Sequence, residues 1–156
     1  MRTVTTAIVG AGQSGLAMSR YLSDASVDHV LLERGEVAES WRSARWDSLR
    51  LLTPNWLNRL PGYRYQGDEP DGFMTMPEVI DYISTYASTI AAPIETGTEV
   101  TGVRSAEGGF EVVTTTGAWR ARTVVLASGP YNRPDVPGIA GAIPAEVTSV
   151  SPASRL

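Results

Sequence analysis

The chain has 156 residues, 42% hydrophobic and 19% charged, the profile of a folded domain with a core of ordinary size. Its net charge of −4 offers no electrostatic attraction to nucleic acid or to an anionic membrane surface. All 13 basic residues are arginine and cysteine is absent, which excludes Schiff-base and P-loop lysines, a thiolate nucleophile, a redox dithiol and a disulfide framework. No charged and apolar leader pattern and no apolar run near membrane-span length is visible, so the expected location is the cytoplasm, without membrane or nucleic-acid partners.

Thr5 to Val9 reads as a short buried strand, and Gln13 to Leu22 as a helix with Leu16 and Ala17 facing inward. Gly10, Gly12 and Gly15 fall at the junction. Gly10 permits the tight turn, Gly12 lets backbone approach a pyrophosphate without a Cβ in the way, and Gly15 lets the helix pack closely on the strand. The free N–H groups of the helix start, at Gln13 and Ser14, are then placed to hold phosphates.

A second strand, His29 to Leu32, ends in Glu33, 18 residues beyond Gly15, where an acid is expected to hydrogen-bond ribose hydroxyls. Glu33 disfavours a 2′-phosphate, whereas the adjacent Arg34 accommodates one; the site reads as FAD or NAD rather than NADP. His29 is the sole histidine, so neither a metal site nor a Ser-His-Asp triad is expected, and it reads as a half-exposed residue at a strand start.

Residues 36 to 92 read as an insertion, irregular up to residue 76 and then helical. Trp41, Trp46 and Trp56 with Leu49, Leu51, Leu52, Leu57 and Leu60 are expected to build an apolar wall, and residues 67 to 72, "GDEPDG", an exposed turn. Thr75 as N-cap, Pro77 in the first turn and Glu78 as capping-box partner start a helix whose stripe is Val79, Ile83, Tyr86 and Ile90. From Gly97 the period changes, and residues 97 to 123 read as a small antiparallel meander. Val124 to Ala127 then reads as a buried central parallel strand. Ser128 and Gly129 lie at its carboxyl end, where open α/β sheets place ligands, and "GPYNRPDVPG" closes the unit with proline turns.

These pieces resemble the FAD-binding half of the flavin-dependent, NADPH-using monooxygenases: the flavin-containing monooxygenases and their relatives near the Baeyer-Villiger group. The resemblance rests on "IVGAGQSGLA" followed by Glu33, "SWR...WDSLRLLTP...LPG", "MPEVIDYISTYA" and "VVLASGPYNRPDVPG", in which Ser128 stands where the family usually has threonine. It implies an α/β, Rossmann-like FAD-binding domain of the two-dinucleotide-binding-domain flavoprotein type, with the inserted segment and the meander as its additions. It further implies that Gly10, Gly12 and Gly15 hold the FAD pyrophosphate, Glu33 the adenosine ribose and the Val100 backbone the adenine edge. Trp41 and Arg42 would lie beside the cofactor, the stretch Trp46 to Leu51, with Asp47 and Leu49, near the isoalloxazine, and Ser128 and Gly129 against the FAD from a second segment.

Such enzymes reduce FAD with NADPH, form a flavin hydroperoxide and oxygenate a small organic substrate, here expected to be apolar. The flavin carries that chemistry, so no nucleophilic side chain is required. The absence of cysteine argues against the disulfide-reductase relatives of the same fold. No second glycine-rich strand-helix turn is visible, Gly138 and Gly141 lying in a proline-rich loop. An incomplete FAD domain without its NADPH domain is therefore expected over residues 1 to 156. Two alternatives stay open: a non-catalytic module binding FAD or a partner chain, and an NAD-dependent dehydrogenase, which lacks its Tyr-x-x-x-Lys pair here. A homo-oligomer also stays open.

Overall fold

In the computed structural model, which describes residues 1–130, 137–144 and 147, the chain enters along β1 (Arg2–Val9), turns through Gly10 to Gly12 and continues as α1 (Gln13–Asp24). It returns along β2 (His29–Leu32), every residue of which is buried. β1 and β2 pair in parallel from Thr6 with His29 to Val9 with Leu32, joined through α1 as a βαβ unit. β1 begins at Arg2, three residues before the apolar run, because its ladder with the last strand extends down to Arg2 opposite Trp119.

The segment after β2 carries a short helix α2 (Glu39–Ser43), a 3-10 turn (Asn55–Leu57), a two-residue hairpin of β3 (Arg59–Leu60) and β4 (Tyr63–Arg64), and α3 (Met76–Thr89). The capping box of α3 forms as its sequence requires, with the Glu78 carboxylate accepting from the Thr75 N–H and hydroxyl, both at 2.7 Å. Val79, Ile83 and Tyr86 of its stripe are buried, while Ile90 is half-buried at the C-cap. Tyr86 and Tyr82 donate to the Pro61 and Asn58 carbonyls at 3.0 and 3.1 Å and tie the hairpin to α3. Burial pushes the Tyr82 phenol up to about 12, which keeps it a donor.

β5 (Ile94–Glu95) then pairs in parallel with β2, and β6 (Val100–Ala106), β7 (Gly109–Thr114) and β8 (Gly117–Leu126) form the antiparallel meander. The sheet order is β5-β2-β1-β8-β7-β6. β8 is one continuous strand, antiparallel to β7 over Gly117 to Ala121 and parallel to β1 over Trp119 to Leu126. The third meander strand and the central parallel strand, expected as neighbours in sequence, are thus a single element. Its last turn of chain is less enclosed than a uniformly apolar run implies. β7 ends its pairing at Ala121, so Leu126 is 73% exposed and Val124 and Val125 are half-buried.

Side chains alternate across the sheet and define two cores. On one face Ile8 and Leu31 meet Leu16 of α1 and Val79, Ile83 and Tyr86 of α3. On the other, Ala7, Val30 and Leu32 meet Val112, Trp119 and Ala121. This second cluster draws its residues from β1, β2, β7 and β8 of the one sheet.

Three expectations are corrected. His29 is buried rather than half-exposed, because its ring bridges Ser19 Oγ and the Val27 carbonyl, both at 2.8 Å. Ala17 is half-buried, the inward face of α1 being Gly15, Leu16 and Ser19, since the helix turns its 15–16–19 edge to the sheet. The apolar wall does not form: Leu60 joins the core, while Trp46, Leu52, Trp56 and Leu57 are exposed on the irregular segment. Gly138 and Gly141 sit in a 3-10 helix (Gly138–Ala142), and residues 131–136 of the proline-rich closing stretch lie outside the described residues.

Candidate functional site

The carboxyl ends of β1, β2 and β8 converge, and the chain leaves β1 towards β2 on one side while β8 pairs on the other. That is the topological switch point at which open α/β sheets hold ligands. Gly10 N–H donates to the Leu32 carbonyl at 2.9 Å and Ala127 N–H to the Val9 carbonyl at 2.9 Å, locking the three strand ends together.

The three glycines separate by what surrounds them. Gly10 has φ +104°, and a Cβ there would lie 2.7 Å from the Ala127 carbonyl oxygen. A Cβ at Gly15 would lie 2.0 Å from the Gly10 carbonyl oxygen, so this glycine lets α1 start against the turn. Around Gly12 nothing lies within 4 Å of a Cβ position, which opens instead into the cleft. No side chain caps α1, and the first intrahelical bond runs from Leu16 N–H to the Gly12 carbonyl. The preceding N–H groups of Gln13, Ser14 and Gly15 are the orphan donors of a helix start.

Glu33 closes this arrangement. It is 8% exposed, its Oε2 accepts the Ala11 N–H at 2.8 Å, and its Oε1 accepts the Gly35 N–H at 3.1 Å. Each carboxylate oxygen retains a lone pair for a further donor.

The cleft so framed has a volume of about 360 Å³, within the range of small-molecule sites. Of the residues expected from the sequence, Gly10, Gly12, Gln13, Ser14, Glu33, Arg34, Trp41, Val100, Ser128 and Gly129 line it. Gly15 lies beneath it in the helix–strand contact. Arg42 is directed to α3 and its own segment, with Nε donating to the Val37 carbonyl at 3.1 Å and Nη2 to Ser84 Oγ at 3.4 Å. Asp47 is exposed, and Leu49 is half-buried with its carbonyl accepting the Met76 N–H. Sequence reasoning passed over Glu39, Ser40, Arg45 and Glu99, which also face the cleft. Arg45 stacks over the Trp41 ring at 5.2 Å from beyond the end of α2, so no helical spacing marked it in the sequence. Ala38, buried at φ 63°, starts that helix and bonds by its N–H to the Ala11 carbonyl at 3.5 Å.

A glycine-lined helix start, an acid at the end of the second strand and a small-residue segment after a third define a dinucleotide-binding protein of the Rossmann-like kind. Comparison with known proteins fixes the family. The family of pyridine nucleotide-disulphide oxidoreductases matches residues 7–154, and the chain belongs to it. A CzcO-like oxidoreductase of Geobacillus kaustophilus is 36% identical over 148 residues, covering 94% of this chain and 42% of that protein. The probable indole-3-pyruvate monooxygenase YUCCA9 of Arabidopsis thaliana is 34% identical over 117 residues, 74% of this chain and 26% of the relative. Among solved structures, a flavin-containing monooxygenase from Stenotrophomonas maltophilia superposes with TM-score 0.77 at 28% identity, covering 88% of this chain and 42% of that one.

The fold is that of the FAD-binding Rossmann-like flavoproteins, as the sequence resemblance implied, and by sequence the chain belongs with the oxidoreductase family named above. It spans about two fifths of the length of the curated relatives it matches. Among the described residues no helix is long and apolar enough to cross a membrane.

Proposed function

We propose that residues 1–156 form the FAD-binding domain of an NADPH-dependent flavoprotein monooxygenase that acts on a small apolar organic substrate, with 36–92 as its insertion and 97–123 as its meander. The observation that carries this reading is the open cradle at Gly12 facing the twice-bonded Glu33 carboxylate across one cleft. A pyrophosphate fits where a Cβ is missing and helix N–H groups are unpaired, and a ribose fits where a buried acid keeps lone pairs.

In this reading the N–H groups of Gln13 and Ser14 bind the pyrophosphate and Glu33 accepts from the ribose hydroxyls. The Val100 backbone meets the adenine edge, and Ser128 and Gly129 approach from the β8 end. Trp41 covers the cofactor and excludes water from that side, its ring held by Arg45. Arg42, Asp47 and Leu49 act as support for the segment that carries Trp41, since they do not line the cleft. Bound FAD supplies the redox and oxygen chemistry, which needs orientation and dryness from the protein rather than a nucleophile. The cysteine-free sequence fits oxygenation better than disulfide reduction, which requires a thiol pair.

The test is an absorption spectrum of the chain after incubation with excess FAD and removal of free cofactor. A flavin band retained by the parent chain and lost in Gly12→Ala and Glu33→Ala supports the reading; no retained flavin in a chain shown by circular dichroism to be folded sinks it.

A further inference from the structure

A second groove, of about 560 Å³, shares no lining residue with the cleft and is built around the β3–β4 hairpin. The hairpin turns at Pro61 and Gly62, the latter at φ +70°, and places Leu60 opposite Tyr63 and Arg59 opposite Arg64. Alternation then decides which pair faces the core. Leu60 is buried, and Tyr63 packs on the rings of Tyr82 and Tyr86 at 5.2 and 5.4 Å, so both arginines stand on the outer face.

Two like charges directly opposite on neighbouring strands, with Cβ atoms roughly 5 Å apart, destabilise a hairpin. This one has two residues per strand to absorb the penalty. Nothing among the described residues neutralises it. Neither arginine makes an ion pair there, although Asp68, Glu69 and Asp71 follow a few residues later. The Glu69 carboxylate lies against Gly72. Arg59 donates its Nε to the Trp56 carbonyl at 3.4 Å, and both arginines are exposed and line the groove. Two guanidinium forks on a hairpin whose backbone is tied by tyrosine hydrogen bonds offer a receptor for an anion.

The same groove carries aromatic surface. Trp56 is 51% exposed and lines it with Tyr65, whose hydroxyl occupies the space a Cβ on Gly67 would need. An exposed tryptophan and a half-buried tyrosine beside paired arginines match a ligand with a flat apolar body and an anionic end.

We propose that this groove binds a small aromatic anion, of the aryl phosphate or aryl carboxylate class. Arg59 and Arg64 hold the charged group, and Trp56 and Tyr65 hold the ring. The site is independent of the cleft and of the flavin reading.

Phenyl phosphate titrated into the full chain, followed by tryptophan fluorescence, tests this, with inorganic phosphate as the ring-free probe. Saturable binding is expected, weakened at least tenfold in R59Q, in R64Q and in W56A, with inorganic phosphate binding at least tenfold more weakly to the parent. Circular dichroism checks that each variant is folded; R64Q alone suffices if another is not, because the Arg64 side chain is exposed. Equal affinity in R64Q and parent, equal affinity for the two probes, or no saturable binding overturns the proposal.

Discussion

Glu33 Oε2 accepts the Ala11 N–H at 2.8 Å, so the acid at the end of β2 holds the glycine turn after β1 before any ligand arrives. The same carboxylate accepts the Gly35 N–H at 3.1 Å through its other oxygen. A glutamine has one acceptor oxygen and would turn its amide donors to one of these N–H groups. Glu33→Gln is therefore expected to lower the unfolding free energy of the ligand-free chain by about 1–3 kcal/mol, the cost of an unsatisfied buried donor. Urea denaturation checks this; an unchanged midpoint would mean that Glu33 does not organise the turn.

The glycines should separate by experiment as they do by geometry. Gly15→Ala drives a Cβ to within 2.0 Å of the Gly10 carbonyl oxygen and must displace α1 from the turn, so loss of cooperative unfolding or a drop beyond about 3 kcal/mol is expected. Gly12 has φ −83°, which alanine adopts, and open space at the Cβ. Gly12→Ala should keep its melting temperature within a degree or two, since surface changes stay within about 0.5 kcal/mol, yet lose retained flavin. A destabilised Gly12→Ala would show that this glycine serves the fold and not the cleft.

The glycine turn, Glu33 and α3 were legible in the sequence because each is set by a local rule: a turn needing no Cβ, an acid closing a strand, a cap three residues from its partner. Arg42 and Asp47 rested mainly on likeness, Leu49 also on an apolar run, and none of the three lines the cleft. No periodicity governs residues 44 to 74, so the sequence could not say that Leu60 would enter the core while Trp56 stayed half in water. The position of His29 also escaped, because its enclosure depends on Ser19, a polar residue on the inward face of α1.

Both long helices end in a left-handed residue that is not glycine: Ser26 at φ 55° after α1 and Ala91 at φ 48° after α3. Each closes with the paired bonds of a Schellman motif, Val27 N–H to Leu22 and Ser26 N–H to Ser23 in the first, Ala92 N–H to Ala87 and Ala91 N–H to Ser88 in the second. A side chain in this conformation costs roughly 1–2 kcal/mol relative to a right-handed one, a cost glycine escapes in part. Ala91→Gly is exposed and is expected to stabilise the chain by about 0.5–1 kcal/mol, read as a higher thermal midpoint. A lower midpoint would mean that the flexibility added to the unfolded chain outweighs the relieved strain.

The capping box of α3 should make part of the stability acid-sensitive. Hydrogen bonds from the Thr75 backbone and hydroxyl hold the Glu78 carboxyl below its ordinary value. A depressed folded-state pKa means that the contribution is complete above the unfolded glutamate value of about 4.3 and disappears as pH falls through the lower folded value. Glu78→Gln retains the side-chain oxygen and the bond to the Thr75 N–H but removes the titration. The parent should therefore exceed the variant in stability at pH 6 by a few tenths of a kcal/mol, in keeping with a helix-terminal charge at the surface. The two curves should draw together as pH falls through the lowered folded value of Glu78. Urea midpoints at pH 6, 4.5 and 3 measure the difference, and a constant gap across the three would show that the bond to Thr75 does not depend on the charge of Glu78.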